Sequence, residues 1–329
     1  MMKTKLFAVI LAANSYVLAA GQNQPPSDKN SAASVAKQTV VVSVLDKDGW
    51  AVPQINQSAF SVFDDKVEQE IIAFGDQDAP LSLGILFDVS PSVLRENLNA
   101  VRSSMKGLMD FTRLSNDGNE YFVIGFSDRV QLLTDWTKDT NSLSGGLSQL
   151  PNLQTNASEG THLNDALYEG LNKVQTGNNT RKVILLVTDG IDYGSRRKFG
   201  ELQSMLKERD VLLYILAICS EDAVGFDSHK LIELENAAYA TGGRSFYFNK
   251  PSSRSEKKVD LSVIHEMLER LAFELRHQYT IVYRPSNAVP GKWRRIKVKV
   301  TLQRDPHRQI KDIYIRHRDG YFSAPRNGP

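Results

Sequence analysis

Cysteine is nearly absent from the sequence, since Cys219 is the single one among 329 residues. The chain therefore cannot form an internal disulfide, and it has no set of cysteines for a structural zinc site. Its stability has to come from a hydrophobic core, for which the length and a hydrophobic content of 41% are sufficient. Cys219 lies in the apolar run VLLYILAIC, and we interpret it as a small buried hydrophobic residue.

The sequence also lacks an excess of charge of one sign, and it lacks long apolar segments. The 40 Lys and Arg side chains are matched by 38 Asp and Glu, which leaves a formal net charge of +2. This balance gives the whole chain no drive toward nucleic acid or an anionic membrane. After residues 1–21, no stretch is long and apolar enough to predict a transmembrane helix.

The first residues are typical of an export signal. Lys3 and Lys5 precede the short apolar stretch from Leu6 to Ala13, and small residues follow at Ala19 and Ala20. We therefore predict a signal peptide at 1–21 and an exported protein that is periplasmic, secreted or associated with the cell envelope. An uncleaved N-terminal anchor is the alternative. Residues 22–38 are rich in Gln, Ser, Asn, Pro and Ala, which is typical of a disordered linker.

The middle of the chain alternates between strand and helix patterns. Apolar runs without alternation, such as LSLGILF and KVILLV, predict strands that are covered on both faces. Helical spacing separates them, for example in LNDALYEGLNKV and KFGELQSMLKERD, and a last amphipathic helix is expected at Asp260–Gln278. The fold class predicted for 80–277 is thus α/β, a doubly wound and mostly parallel sheet with helices on both faces.

Both ends of that region carry β patterns. The segment 39–76 contains β-branched runs with turns near Asp46–Gly49 and Asp65, and 278–325 contains the alternating run RIKVKVTL. Neither segment can bury a core alone, and strands leave unpaired edges. We therefore predict that 278–325 pairs with 39–76 in a small β-sandwich-like domain, into which the α/β domain is inserted.

Oxygen-bearing side chains follow two of the predicted parallel strands and precede one helix. Asp88, Ser90 and Ser92 come after LSLGILF, and Asp189 comes after KVILLV. Thr161 lies in a loop directly before a helix. Ligands of open parallel sheets bind beyond the carboxyl ends of the strands. Because these donors are hard oxygens with no His and Cys cluster beside them, they favour Mg²⁺, with Mn²⁺ or Ca²⁺ as alternatives, over zinc.

These residues resemble the metal-ion-dependent adhesion site of von Willebrand factor type A domains. The motif DVSPS, the Thr of SEGTHLNDAL and the Asp of VTDGID occur in the order of that family and on the corresponding elements. A lone DxSxS would be a weak signal, since it also suits a helix N-cap. Pro91 stands where many members have Gly, which questions the geometry of the loop more than the binding of a metal.

The resemblance implies a role for each residue. Ser90, Ser92 and Thr161 would be direct ligands, while Asp88 and Asp189 would anchor the site, often through water. The open coordination position would take an Asp or Glu carboxylate from a protein partner. The implied function is metal-dependent adhesion or protein binding, without nucleic acid and without enzyme activity.

The likeness extends beyond the central region, to bacterial VWFA-related proteins described from acidobacteria. It is carried by stretches such as FSVFDDKVEQEIIAF, YATGGRSFYF, ELRHQYTIVYRPSN and RHRDGYF. Lys66 replaces the Gly that is frequent in the N-terminal turn of these proteins, and we expect it to alter that turn alone.

Three other functions compete with this interpretation. A haloacid-dehalogenase-like phosphotransferase also places an Asp after its first strand and holds Mg²⁺, but it needs a second carboxylate where this chain has Ser90. An acyl-transfer hydrolase lacks support because there is no G-x-S-x-G elbow. For His162 we expect a role at the rim of the site or in capping the helix that follows. A purely structural protein leaves the gathering of five oxygen donors unexplained.

Overall fold

The computed structural model describes residues 37–76, 78–91, 93, 107, 116–150, 153, 160–220, 226–250, 262–286, 289–302 and 312–323. Outside this set lie the predicted signal peptide at 1–21, most of the linker 22–38, Ser92, and most of the helix expected between Leu94 and Phe111. The side chain of Cys219 is not described either. None of the described helices is both long enough and apolar enough to cross a membrane.

A six-stranded sheet forms the centre of the α/β region. Its strands are β5 (Leu81–Asp88), β6 (Glu120–Phe126), β7 (Val130–Thr137), β8 (Arg181–Thr188), β9 (Leu212–Ser220) and β10 (Ser245–Lys250). Their spatial order is β10-β9-β8-β5-β6-β7, and every neighbouring pair is parallel except β6 and β7. The predicted doubly wound sheet is confirmed, with β7 as an antiparallel edge.

Helices cover both faces of this sheet. The helices whose bounds lie within the described residues are α1 (Thr140–Gln149), α2 (Leu163–Val174), α3 (Phe199–Glu208), α4 (Phe226–Thr241) and α5 (Ser262–Arg276). Alternate residues of β5 face opposite ways, so Ile85 packs in the core with α1 and α5 while Leu86 packs in the core with α2, α3 and α4. All residues of β5 are buried, as its unbroken apolar pattern predicts.

Helix α1 is absent from the sequence-based prediction, since TNSLSGGLSQ is rich in Ser and Gly, which form helices poorly. Two features compensate for this weak propensity. Asp139 caps the helix by accepting hydrogen bonds from the backbone N–H groups of Asn141 and Ser142. Leu143 and Leu147 are fully buried against the sheet, which stabilises the helix by roughly 1.5–3 kcal/mol for each side chain.

The two ends of the chain meet in two antiparallel four-stranded sheets, called here the terminal sheets. The N-terminal segment supplies β1 (Gln38–Asp46), β2 (Phe60–Asp64), β3 (Val67–Gln69) and β4 (Ile71–Gly75). The C-terminal segment supplies β11 (Tyr279–Tyr283), β12 (Trp293–Val300), β13 (Ile313–His317) and β14 (Gly320–Phe322). The orders are β13-β1-β11-β4 and β14-β12-β2-β3, so strands of both segments lie side by side.

A separate hydrophobic core lies between the terminal sheets. Val42, Val62, Tyr279, Ile281 and Val298 are among its buried members. In β12 buried and exposed residues alternate, which confirms the half-buried antiparallel strand expected from RIKVKVTL. The β-sandwich-like part of the fold class is thus present, while the domain boundaries 39–76, 80–277 and 278–325 remain predictions.

Three local expectations need correction or refinement. The second strand expected after the Asp46–Gly49 turn is a single bridge between Leu45 and Ala51. The run IYIRHRDGYF is divided between β13 and β14, which belong to different terminal sheets. The turn at Asp65 is a two-residue hairpin connection in which Asp65 has φ 47° and Lys66 has φ 71°. Positive φ at both positions suits Gly at the second, so Lys66 is strained there.

Candidate metal centre

The buried carboxylate of Asp88 ends strand β5. Asp88 has no exposed surface, and both of its oxygens are held. Its Oδ1 accepts a hydrogen bond from the backbone N–H of Ser90 at 2.9 Å. Its Oδ2 accepts one from the hydroxyl of Thr188 at 2.8 Å, because β8 lies beside β5 in parallel register. The carboxylate of Asp88 is therefore fixed in orientation.

Asp189 follows Thr188 directly and brings a second carboxylate to the same end of the sheet. Its Oδ1 accepts a hydrogen bond from the backbone N–H of Ile191 at 3.0 Å. The pKa of Asp88 is raised to about 7, chiefly by burial and also by the negative charge of Asp189. Hydrogen bonds from Ser90 and Thr188 act in the opposite direction and lower this pKa. Among the described residues, no Lys or Arg is one of the main causes of the pKa shift of Asp88.

Thr161 reaches the site from a loop rather than from a strand. Its backbone N–H and C=O both bond to the backbone of Tyr193, at 2.8 Å each, in the segment that follows β8. The next residue, His162, donates its N–H to the C=O of Ser127 after β6 at 2.7 Å. Gly160 has φ 106°, and a Cβ there would collide with the backbone of Tyr193, so the close approach of the two loops requires Gly.

The end of β6 completes the connection between the loops. The N–H of Val89 donates to the C=O of Phe126 at 2.8 Å, which ties the segment after Asp88 to β6. Three segments that are distant in sequence, those after β5, before α2 and after β8, are thus joined at one edge of the sheet. The structure brings Asp88, Ser90, Thr161 and Asp189 to this edge, whereas Ser92 lies outside the described residues.

Two aspartates that the sequence analysis missed hold the loop after β8 on the start of α2. Asp192 accepts hydrogen bonds from the N–H and the side-chain amide of Asn164, both at 3.0 Å. Asp165 accepts from the N–H groups of Arg196 and Arg197, at 3.1 and 2.9 Å. Since Asp192 lies in VTDGID and Asp165 in SEGTHLNDAL, a search of these motifs for further carboxylates could have identified both.

Two expectations about neighbouring residues are now settled. Pro91 adopts helical backbone geometry, and Pro is favoured in the first turn of a helix, so the replacement of Gly fits the local fold. His162 occupies the N-cap position of α2, but its side chain makes no capping hydrogen bond. Of the two roles expected for His162, capping is therefore wrong, and a place at the rim of the site stays a prediction.

The donor set fits a divalent cation. Asp88 and Ser90 are almost fully buried, Thr161 is 7% exposed, and all of them offer oxygen. Within the described part of the chain, no group of three His, Cys, Asp or Glu side chains is arranged to hold a metal ion. A cation here would consequently depend on the hydroxyls of Ser90 and Thr161 beside the two carboxylates, which is a set that suits Mg²⁺, Mn²⁺ or Ca²⁺.

Comparison with known proteins identifies a family model over the region that carries this site. The model of the von Willebrand factor type A domain matches residues 83–260. No curated protein matches the chain.

Several solved structures are similar. Proximal thread matrix protein 1 from the mussel byssus is 20% identical, with 64% of this chain and 50% of that chain covered and a TM-score of 0.47. This chain thus aligns with about half the length of the mussel protein. A von Willebrand factor type A structure from Catenulispora acidiphila is 10% identical, with 75% and 71% covered and a TM-score of 0.45. BatB from Bacteroides thetaiotaomicron is 13% identical, with 58% and 97% covered and a TM-score of 0.43.

Proposed function

The chain belongs to the von Willebrand factor type A domain family, whose model matches residues 83–260, and on that premise we propose that it is an exported, metal-dependent binding module. It would hold a divalent cation, Mg²⁺ in the first place, with Asp88, Ser90, Ser92, Thr161 and Asp189. When bound, this cation supplies an electrophilic position for an anionic group of a partner. The partner would be a protein that offers an Asp or Glu carboxylate.

The burial of Asp88 beside Asp189 is the observation that carries the proposal. A buried carboxylate is unfavourable unless its charge is compensated, and a second carboxylate nearby increases the cost. Hydrogen bonds from Ser90 and Thr188 compensate part of this cost. A cation at the same edge of the sheet would compensate the rest, which gives this arrangement of charges a function.

The chain's own residues would position the donors before a partner arrives. Thr188 and the N–H of Ser90 prevent the Asp88 carboxylate from rotating. Tyr193 holds the backbone of Thr161 through two hydrogen bonds, so the hydroxyl of Thr161 starts from a fixed backbone. Groups that orient metal ligands in this way commonly raise metal affinity tenfold to a hundredfold, which is on the order of 1.4–2.7 kcal/mol.

A binding function is favoured over catalysis because the site lacks a proton-transferring group in the required place. A phosphotransferase of the haloacid dehalogenase type needs an acid or base two residues after its Asp. Ser90 occupies that position, and only 1% of its surface is exposed. The predicted signal peptide supports export, and sequencing the N-terminus of the protein recovered from the culture medium and the cell envelope would test it.

Thermal unfolding with and without divalent cations tests the metal site. A cation that binds the native state at about 100 times its dissociation constant adds about 2.7 kcal/mol to the free energy of unfolding. At roughly 2–4 °C for each kcal/mol, the midpoint should rise by roughly 5–10 °C with Mg²⁺ and fall back with a chelator.

The variant Asp88→Asn makes this test specific. The amide keeps the shape but removes a buried charge next to Asp189, so the metal-free variant should be at least as stable as the wild type. Its midpoint should not rise with Mg²⁺. A rise equal to that of the wild type would place the metal elsewhere and contradict the proposal, and turnover of a generic phosphate ester with Mg²⁺ would favour the phosphotransferase instead.

A further inference from the structure

An exposed aromatic side chain stands directly beside the metal centre. The backbone of Tyr193 is bonded to Thr161 in both directions, yet its side chain is 69% exposed. Large aromatic side chains usually contribute to a core, and exposed ones are enriched where proteins meet partners. The ring lies beside Gly160, where a Cβ would come within 2.9 Å of its Cδ1, and most of its surface remains open to solvent.

The loop that carries Tyr193 is held to α2 by several hydrogen bonds. Ser195 donates to Asp192 at 2.6 Å, and Asp192 in turn accepts from Asn164 at the start of α2. The N–H groups of Arg196 and Arg197 are bound by Asp165, also on α2. A surface held by this many hydrogen bonds loses little conformational entropy when a partner binds, which favours affinity.

Three exposed cationic side chains follow on the same loop, Arg196, Arg197 and Lys198. The guanidinium of Arg197 stacks over the ring of Tyr168 at 3.9 Å and lies 3.4 Å from Glu201, so it is held in place. The carboxylates of Asp165 and Asp192 are directed at backbone N–H groups, whereas the side chains of Arg196 and Lys198 are exposed to solvent. Arg196 and Lys198 therefore supply exposed positive charge on the loop that carries Tyr193. We call Tyr193, Arg196, Arg197 and Lys198 the rim.

From these contacts we infer that the rim selects an acidic peptide segment, in which further carboxylates flank the one offered to the cation. The inference rests on the proposed function, since the cation defines where the first carboxylate binds. Arg196 and its neighbours would pair with the flanking carboxylates, and the ring of Tyr193 would pack on the segment between them.

The rim offers several side chains along one loop, which favours an extended peptide over a small anion. Arg196 comes three residues after Tyr193 in the sequence, so the chain separates them by at most about 10 Å. A strand-like segment of about three or four residues is long enough to reach both side chains, whereas a single phosphate or carboxylate can engage the cation or one arginine. Tyr and Arg together are also the residue types that dominate the energetics of protein interfaces.

Direct binding measurements with the full chain test the inference. The probe is a labelled synthetic peptide with a central Asp between several Glu residues, and its twin has Gln in place of each Glu. Affinities are measured by fluorescence anisotropy with saturating Mg²⁺ and again with a chelator. The acidic peptide should bind more tightly than its twin, and Tyr193→Ala and Arg196→Glu should each weaken it about tenfold or more.

Matched controls separate the rim from general effects of charge and exposure. Lys297→Glu makes the same kind of charge change on an exposed face of β12, and Tyr314→Ala removes a ring that is 59% exposed on β13. Both controls should bind the acidic peptide as the wild type does. The rim variants should retain the Mg²⁺-dependent rise in thermal stability, because neither side chain belongs to the donor set.

The possible failures are distinct. Equal, Mg²⁺-dependent binding of both peptides by all variants would overturn the rim and leave the proposed function standing. Peptide binding that survives a chelator but is lost in Arg196→Glu would contradict the proposed function and retain the rim. An acidic polysaccharide that binds through the rim more tightly than the peptide would overturn the choice of a protein partner. If neither peptide binds the Mg²⁺-loaded protein, the rim is overturned, and the Mg²⁺-dependent thermal shift decides the proposed function separately.

Discussion

Replacing Glu274 with Ala should lower the free energy of unfolding by about 3–5 kcal/mol, because it leaves one partner of a buried ion pair without the other. Glu274 lies on α5 and has no exposed surface. Its Oε2 is 2.8 Å from the Nε of Arg244, whose side chain is 8% exposed, in a contact that is an ion pair but lacks the angle of a hydrogen bond. In Glu274→Ala the guanidinium of Arg244 would remain buried beside a cavity.

The other oxygen of Glu274 connects the two parts of the fold. Its Oε1 accepts hydrogen bonds from the hydroxyls of Ser43 on β1 and Tyr214 on β9, both at 2.8 Å. Burial, and then the charge of Glu274, raises the pKa of Tyr214 well above its ordinary value, so its hydroxyl stays protonated and keeps donating. One carboxylate therefore joins a terminal sheet, the central sheet and α5.

Two further variants grade the effect. Glu274→Gln keeps an oxygen that can accept from Ser43 and Tyr214 but leaves the charge of Arg244 facing a neutral amide, which should cost about 1.5–3 kcal/mol. Glu269→Ala is the matched control, because Glu269 is on the same helix and pairs with His265 at the surface, with 54% of its side chain exposed. It should cost no more than about 0.5 kcal/mol.

Urea unfolding followed by circular dichroism and by tryptophan fluorescence measures these differences. Trp50, near the end of β1, packs edge-on against Phe273 of α5 with 5.8 Å between the ring centroids, so its emission reports on the contact between the terminal sheets and α5. Both signals should shift to lower urea in the order Glu269→Ala, Glu274→Gln, Glu274→Ala. If Glu274→Ala unfolds at the same urea concentration as Glu269→Ala, the buried pair does not stabilise the fold and the reasoning fails.

Two more predictions concern the terminal sheets. Burial lowers the pKa of His317 below its ordinary value of 6.5, and its Nε2 accepts from the N–H of Val298, so the neutral ring is the folded form. The contribution of neutral His317 to the free energy of unfolding is complete above about pH 6.5. It is lost as the pH falls below that value, because the unfolded chain then binds a proton more readily than the folded one. The stability difference between wild type and His317→Gln in urea should therefore shrink from about pH 7.5 to about pH 5.5, and a constant difference would contradict this. Lys66→Gly should raise the free energy of unfolding by roughly 0.5–1 kcal/mol, because Gly relieves the positive φ at the hairpin. Lys66→Ala should bring no such gain, and an equal gain from both would show that the backbone is not strained there.

Periodic patterns explain why much of the fold could be predicted from the sequence. In β5, eight consecutive buried residues require cover on both faces, and only a sheet between two layers of helices provides it. In β12 the strict alternation of buried and exposed residues has a single consistent placement, on a sheet with one solvated face. Signals of this kind are local, so they survive without knowledge of the contacts.

Contacts between distant segments explain what could not be predicted. Helix α1 has poor local propensity, and it is stable because Leu143 and Leu147 reach the sheet. Glu274 and Arg244 look like ordinary surface residues in the sequence, since nothing local reveals that α5 places one of them against β1. Burial of a charge depends on which segments pack together, and that is decided by the fold as a whole.

The candidate site combines both situations. Four of its five proposed donors could be predicted because they follow apolar strands, whose carboxyl ends must meet at one edge of a parallel sheet, whereas Thr161 precedes helix α2 in the motif SEGTHLNDAL. The orientation of the donors could not be predicted. Thr188 donates a hydrogen bond to Asp88, which lies 100 residues away in the sequence. Tyr193 bonds to Thr161 through the backbone, and such bonds do not depend on the identity of the side chains. A mutation of Thr188 to Val should consequently weaken metal binding although Thr188 is not one of the predicted ligands. The composition of a site of this kind can be recognised in the sequence, whereas the rigidity that would make it selective arises from pairing between its loops.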